Sequence, residues 1–489
     1  MKFGRRSLLR DALIFSALPI LAACAGATPT AAPTAVAAKP AAAPEKPAQP
    51  AAAAPAAAPA VAPANAPSAA PAAKPAEGAK AIELRVHTVE REPHSGWLKS
   101  GFEKDVDGWK SKHPNVTLKV EAIPGFTAEY TPKVLAMASG KQLGDVMWYP
   151  SRHRSNIAWG TRFNAVRDLH PLAKSANYDP LKNFYPSAIE ASTLEGKLYW
   201  LNYIGEPVVP LVAYNKTKAT QLGIGEPKDD WVLDDWITWA KAGTKNGLFG
   251  YSRGAGGNNP HSMGPFLRQH GVEPTDKTGK KSTFLDTKDA FVAALKYRSD
   301  LTNSLKVSPT PTGADININE IFGGQKVLAA EIWPNSVQFL KTLFKDFEIE
   351  FVTTPVVKKG EKRRSMLNEH GYGVTTFSQS PEVAFDYLTW ICGREMQVQA
   401  FALGNKAPAA RPDVWNDERI YEKYPAYRKL KPTMEAIEAD YIVANFRGEE
   451  FDAAFAQAYD KMELGSATPD VTAAEIQRLT QAVLDKAPA

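Results

Sequence analysis

From Ala25 to about Lys80 the sequence is almost entirely alanine and proline, with a few lysines and glutamates and no aromatic residue. No packed core can form there. Ordering a residue costs about 1–2 kcal/mol of backbone entropy, these side chains bury too little apolar area to offset it, and the repeated prolines interrupt any helix. The stretch separates whatever precedes it from anything that folds after it, and reads as a tether. Proline-rich spacers favour polyproline II at about 3.1 Å per residue, so about 56 residues reach on the order of 170 Å when fully extended. A passive spacer is the simplest reading of it.

Ahead of the tether stand Arg5-Arg6, an apolar run from Ala12 to Leu21, and Leu21-Ala22-Ala23-Cys24. The run is well short of the roughly 20 residues that span a ~30 Å hydrocarbon core, and it contains Pro19, so it reads as the apolar part of an export signal rather than a membrane helix. Small residues followed by cysteine resemble a lipobox, whose thiol takes diacylglycerol before cleavage. Residues 1–23 are expected to be removed, leaving 24–80 as a tether anchored through a lipid on Cys24, with palmitate among its acyl chains. The protein would then sit on the cell membrane, facing the periplasm or the extracellular side. Gly4 to Arg10 is similar to the twin-arginine export consensus, with Gly4 where Ser or Thr is usual. A general-pathway signal also carries basic residues there, so both export routes stay open.

Residues 81–489 suffice for two ordinary domains and hold all eleven tryptophans. The formal charge of +5 includes the basic residues of the signal, and no polybasic stripe remains, which argues against nucleic acid as a partner. The densest basic cluster, Lys358 to Arg364, surrounds Gly360 and reads as a solvated loop. Cys392 has no partner once Cys24 is lipidated, and its apolar helical setting, Tyr387 to Ile391, makes it an inert core thiol.

Short apolar strands alternate with helical stretches, the α/β pattern. Ile82–Val86 alternates with period two; a helix is expected over Leu98–Lys112; Val116–Glu121 alternates again. Tyr130–Ser139 reads as a helix stopped by Gly140, and Leu143–Trp148 as a buried strand. Three strands with helices between them predict a parallel sheet, whose ligand site lies outside the strand carboxyl ends.

These residues carry a family resemblance. His113 to Val120, Val134 to Gly140 and Gly144-Asp145-Val146 are similar to the opening of the maltose-type (family 1, multi-sugar) extracellular solute-binding proteins of ABC importers. Glu195 to Asn202 with Tyr214-Asn215-Lys216 resembles the segment entering that family's second lobe, Trp231 to Gly243 its Trp-Asp helix, and Phe322 to Ala330 its Phe-x-x-Gly-Lys-x-Ala strand. Ser380 to Ala384 and Gly404 to Pro408 resemble its late helix and turn. The matches are collinear over 82–489. Asn202 departs from the usual proline, and Glu206 to Pro210 carries two prolines where the family runs straight into a strand. The resemblance implies an α/β, two-lobed periplasmic-binding-protein-like fold (type II), with discontinuous lobes, a hinge and an inter-lobe cleft. The lobe boundaries are expected at 81–188 with 357–404, and at 189–356 with 405–489.

It also implies a monomeric receptor that closes on a carbohydrate and presents it to the permease subunits of an ABC importer. A sugar offers hydroxyl edges and a C–H face, so its site needs polar groups in plane and aromatic rings over the face. Residues just after expected strands are the candidates: Trp148, Tyr149 and Arg152; Glu206; Trp333 and Asn335; Tyr372; and Glu90 with Trp97 after the first strand. By family position Trp333 neighbours a sugar-stacking aromatic and Glu206 resembles an acidic ligand of the second lobe. Trp231, Trp236, Trp239 and Trp390 sit at helical spacing and are assigned to packing. Arg152, His153 and Arg154 leave room for an anionic sugar.

Other classes leave weaker signatures. A glycan-acting hydrolase needs two carboxylates about 5–10 Å apart, and only Glu90 with Glu206 offers a pair. No Gly-x-Ser-x-Gly elbow is present; Ser252 lacks the first glycine. Gly254 to Gly257 is followed by Asn258-Asn259-Pro260 rather than Lys-Ser/Thr, unlike a phosphate loop. The eight histidines show no His-x-x-x-His or paired-cysteine spacing, so neither a cofactor nor a metal is expected. A surface adhesin on the same fold stays open as an alternative.

Overall fold

The computed structural model describes residues 80–89, 109–124, 127–151, 155–253, 257–310, 322–403 and 408–488. Cys24, Glu90, Trp97 and Arg152 lie outside them, as does most of the helix expected over Leu98–Lys112, of which 109–112 is helical. The chain divides after Ala69, and everything described belongs to the second unit, Ala70–Ala489.

Ten strands occur among the described residues: β1 (Ile82–Val89), β2 (Val116–Ile123), β3 (Val146–Ser151), β4 (Thr193–Leu194), β5 (Lys197–Leu198), β6 (Leu201–Pro207), β7 (Leu211–Asn215), β8 (Ala329–Ile332), β9 (Ile349–Thr353) and β10 (Leu367–Val374). Five form one sheet in the order β2-β1-β3-β10-β6, three form a second in the order β8-β7-β9, and β4 and β5 make a small hairpin. β1 pairs in parallel with β2 and β3, as the alternating segments predicted, while β10 runs antiparallel to both β3 and β6. β1 extends to Val89, and its second half is buried on both faces, as a central parallel strand must be.

One local expectation is met and another needs correction. The helix before β3, α1 (Thr127–Ser139), does end at Gly140, but the residue in the left-handed conformation is Lys141, with φ 55°. The strand expected over Leu143–Trp148 begins three residues later and ends at Ser151. Leu143 to Asp145 are used up in docking: the Asp145 carboxylate accepts the Arg85 N–H at 2.8 Å and the Ser378 hydroxyl at 2.7 Å. Gly144 approaches so closely that a Cβ there would lie 2.7 Å from the Arg85 carbonyl oxygen. A helix-free approach locked by side-chain bonds cannot be told from a strand by its apolar residues alone.

β6 was assigned above to the second lobe, yet it is hydrogen bonded to β10 in the five-stranded sheet. The chain passes between sheets over Val208 to Pro210 and returns between Thr353 and Leu367. These segments run side by side: Val208 N–H donates to Met366 O at 3.0 Å and Thr354 N–H to Pro210 O at 2.9 Å. A third segment joins them where Met366 bridges Glu438. Val209, β-branched and buried, takes a φ of 35°, an outlier for such a residue. Gly205 donates to Pro408 O at 2.8 Å, and a Cβ there would fall 2.3 Å from that of Ala410.

One apolar core runs continuously through the first sheet into the inner face of the second. Another lies under α3 (Pro260–Gln269), α4 (Lys288–Asn303), α7 (Gly448–Glu463) and α8 (Pro469–Leu484). A third is built on α2 (Leu233–Gly243), where Trp236 and Trp239 stack at 5.1 Å and Trp231 packs against both. Trp390, on α6 (Pro381–Ile391), packs against Trp109 and Tyr387, and Cys392 is a free, buried thiol. The helical tryptophans and the cysteine thus pack as their spacing predicted. No helix of the described residues is long and apolar enough to cross a membrane.

Candidate ligand-binding site

The topology sets two strand edges on either side of a short crossing. β1, β3 and β6 run the same way, so Val89, Ser151 and Glu206 mark one carboxyl edge, to which β10 contributes its start: Glu369 pairs with Ser151, and Asn368 with Glu206. β8 and β9 are both antiparallel to β7, and Ile332 and Thr353 both pair with Leu211, the first residue of β7. Only the three residues Val208 to Pro210 therefore separate the end of β6 from the carboxyl edge of the second sheet. Ligands of open α/β sheets bind outside such edges.

On the second edge, Trp333 follows β8 and is half-buried. Its ring lies 6.1 Å from that of His261 at an interplanar angle of 24°. His261 is held in place: Asn259 caps α3 by accepting the Ser262 N–H, and His261 Nδ1 donates to Asp440 Oδ2 at 2.8 Å. Ser252 pairs in parallel with Ala330, so Arg253 follows the bridge at the level of Glu331, within β8. Its guanidinium pairs with Glu463 at 2.6 Å and sits 5.4 Å over the Tyr459 ring. Asn335 is half-buried just before α5 (Ser336–Leu343).

The first sheet treats its candidates differently. Trp148 and Tyr149 are fully buried, because the shifted β3 carries them inside the strand rather than beyond it. The Trp148 ring meets the edge of Tyr130 at 5.0 Å and stacks on His370 at 5.2 Å; Tyr149 stacks on Trp200 at 5.5 Å. Burial pushes the Tyr149 hydroxyl well above the usual phenol range. Tyr372 lies within β10, bonds Thr88 Oγ1 through its hydroxyl at 2.9 Å and meets the Tyr203 ring edge-on. Glu206 lies inside β6 and is 1 % exposed. Burial, and then the nearby Glu206 carboxylate, push the Tyr427 hydroxyl well up. Next to it Asn202 Nδ2 donates to Glu369 Oε2 at 3.3 Å while its Oδ1 accepts the Ala410 N–H.

Sequence reasoning overlooked Glu369, His370, His261, Asp440 and Arg253. The first two stand in the same short stretch as Tyr372 and were within reach of a strand-end argument. His261 was signalled only by the Asn-Pro start of its helix, and Asp440, 179 positions away from it, by nothing local. The described residues contain no group of three or more His, Cys, Asp or Glu placed to hold a metal ion.

Comparison with known proteins places this arrangement. The sequence profile of the bacterial extracellular solute-binding proteins matches residues 102–429. No curated protein is significantly similar in sequence. Among solved structures, the cyclic alpha-maltosyl-1,6-maltose binding protein of Arthrobacter globiformis is similar at a TM-score of 0.68 and 19% identity, over 83% of this chain and 99% of that one. The GacH receptor of Streptomyces glaucescens, solved unliganded and with acarbose, matches at a TM-score of 0.67 and 20% identity, over 83% and 99%. The ABC substrate-binding protein Lmo0181 of Listeria monocytogenes, in complex with cycloalternan, matches at 0.66 and 16%, over 83% and 100%. The fold shared with these proteins has two lobes.

Proposed function

Since this chain belongs to the bacterial extracellular solute-binding protein family, we propose that it is a carbohydrate receptor working outside the cytoplasm, held to the membrane by a lipid on Cys24 and serving an ABC importer. It acts as a monomer that binds in the open cleft, closes by hinge motion and presents the closed form to the permease. Lobe one comprises β1 to β3, β6 and β10, and the lobes meet at the crossings Val208 to Pro210 and Thr354 to Met366. This moves the first boundary from residue 188 to about 207.

One observation carries the carbohydrate reading: a half-buried tryptophan, Trp333, lies at a carboxyl edge, with its ring orientation fixed by His261 and, through it, Asp440. A preorganised ring beside charged and amide groups suits the C–H face and hydroxyl edges of a sugar. Asn335, half-buried two residues after Trp333, supplies an amide; Arg152, Glu90 and Trp97 remain ligand candidates on sequence grounds, while Glu206, Trp148, Tyr149 and Tyr372 are buried within the first sheet and act by supporting its edge. The three structural relatives above were named for, or solved with, acarbose or cyclic glucosides, which points to α-linked glucosides.

The test is a thermal-shift and calorimetric screen of the mature protein with maltose, maltotriose, cyclic glucosides and neutral and acidic monosaccharides. A ligand at 100 times its dissociation constant adds about 2.7 kcal/mol of stability. Mass analysis of the recovered sugar is expected to find it intact. A flat screen across all sugars would refute the carbohydrate reading, and cleaved product would make the protein an enzyme.

A further inference from the structure

Apart from the cleft, a partly open cavity lies where the two crossing segments meet the helices of the second lobe. Val209 comes from one crossing, Thr354 and Arg363 from the other, and Ser262 and Phe266 from α3. None of its lining residues is a candidate for sugar contact. Its inner space of about 30 Å³ has room for about two water-sized centres, enough for the two oxygens of a carboxylate, and from there the cavity opens toward solvent.

Its floor is polar and incompletely satisfied. Arg298, on α4 and 5 % exposed, gives its two terminal nitrogens to Glu331, whose other oxygen accepts the Tyr251 hydroxyl, while its Nε has no partner. The Ser262 hydroxyl, on a residue 9 % exposed, also has none. Buried donors are rarely left unpaired in native proteins, because each costs about 1–3 kcal/mol. At the rim the Arg363 guanidinium donates only to the carbonyl oxygens of Thr354, at 2.8 Å, and Asp229, at 2.9 Å; it makes no ion pair among the described residues. Arg364, by contrast, is matched by Glu273 and Glu438. The lining thus carries a surplus of guanidinium charge, with Glu331 on the floor opposing any second negative charge. Phe266, under the Arg298 guanidinium at 4.3 Å, with Pro265 and Pro355, supplies an apolar wall.

We propose that this cavity is a second ligand site, taking a small organic monocarboxylate. One carboxylate oxygen accepts from Arg298 Nε and the other from Ser262 Oγ, the Arg363 charge faces the anion, and a short alkyl group lies against Phe266. A dianion such as phosphate is disfavoured by the Glu331 carboxylate on the floor. A ligand here touches both segments that join the lobes.

The experiment titrates the full mature chain, without sugar, with acetate, propionate and inorganic phosphate in chloride-balanced buffers, following calorimetric heat and melting temperature. Saturable binding of acetate or propionate is expected, about tenfold or more weaker in Ser262→Ala and Arg363→Gln, since each loses one charge-assisted contact. Both variants should melt near wild type, the serine hydroxyl being unpartnered and Arg363 lying at the rim. Trp333→Ala should retain the carboxylate while binding sugar about 30-fold more weakly, which keeps this site independent of the carbohydrate assignment. No saturable binding, equal affinity in both variants, or binding of phosphate in preference to the carboxylates would overturn the proposal.

Discussion

The two sheets offer aromatic residues at equivalent places and use them in opposite ways. On the first sheet, Trp148, Tyr149 and Tyr372 are enclosed, each ring packed on another ring. On the second, Trp333 stays half-exposed, and its one flanking ring among the described residues is a histidine fixed by a carboxylate. The difference lies in how far the strand continues. β3 carries three residues past Trp148, whereas β8 stops at Ile332, so Trp333 is released at the edge. A residue type at a strand end thus says little until the strand's last paired residue is known.

The largest effect should come from the enclosed ring. Trp148→Ala removes a fully buried side chain and is expected to cost about 3–5 kcal/mol in urea unfolding. Loss of sugar binding with stability intact would erase the distinction between the sheets. Trp333→Ala should do the reverse: roughly 2 kcal/mol of binding energy, about a 30-fold weaker sugar, with near-normal melting. A large drop in melting temperature would turn Trp333 into a core residue.

The crossing between the sheets allows a finer comparison of two neighbouring valines. Val208→Gly should cost about 2–3 kcal/mol in lost burial and added chain entropy. At Val209 the same loss is partly offset by release from a left-handed conformation worth about 1–2 kcal/mol, so Val209→Gly should cost about 1–2 kcal/mol less than Val208→Gly. Equal destabilisation of the two in chemical denaturation would show that the backbone there is not strained.

The smallest effect is electrostatic. Burial, only partly opposed by Glu121, lowers the pKa of His87 in β1, and burial likewise lowers that of His270 at the end of α3. Both are neutral in the folded protein near pH 7 and bind protons more readily when unfolded. Their contribution is complete above the unfolded value of about 6.5 and is lost as pH falls below it. Melting temperature should therefore decline from pH 7.5 to 5, with a shallower slope in His87→Gln. An unchanged slope would exclude the first-sheet histidine as its source.

Composition alone sets the expectation of a tether over Ala25 to Lys80, which lies almost wholly outside the described residues, and hydrophobic alternation located β1 and β2, because both are local consequences of side-chain chemistry and period. Helical spacing likewise placed Trp236 and Trp239 in a core. Collinear motifs pointed to the family, since such matches draw on the whole chain at once. What the sequence left open was the end of each strand and the partner of each buried polar group. The start of β3 is set by Asp145 binding Arg85 and Ser378, 60 and 233 positions away, and the placing of Trp333 by a histidine whose carboxylate partner lies 179 positions further on. Those contacts exist only after the chain has brought distant segments together, so no local pattern records them. Tertiary structure alone decided which tryptophan is left half-buried just past a strand end.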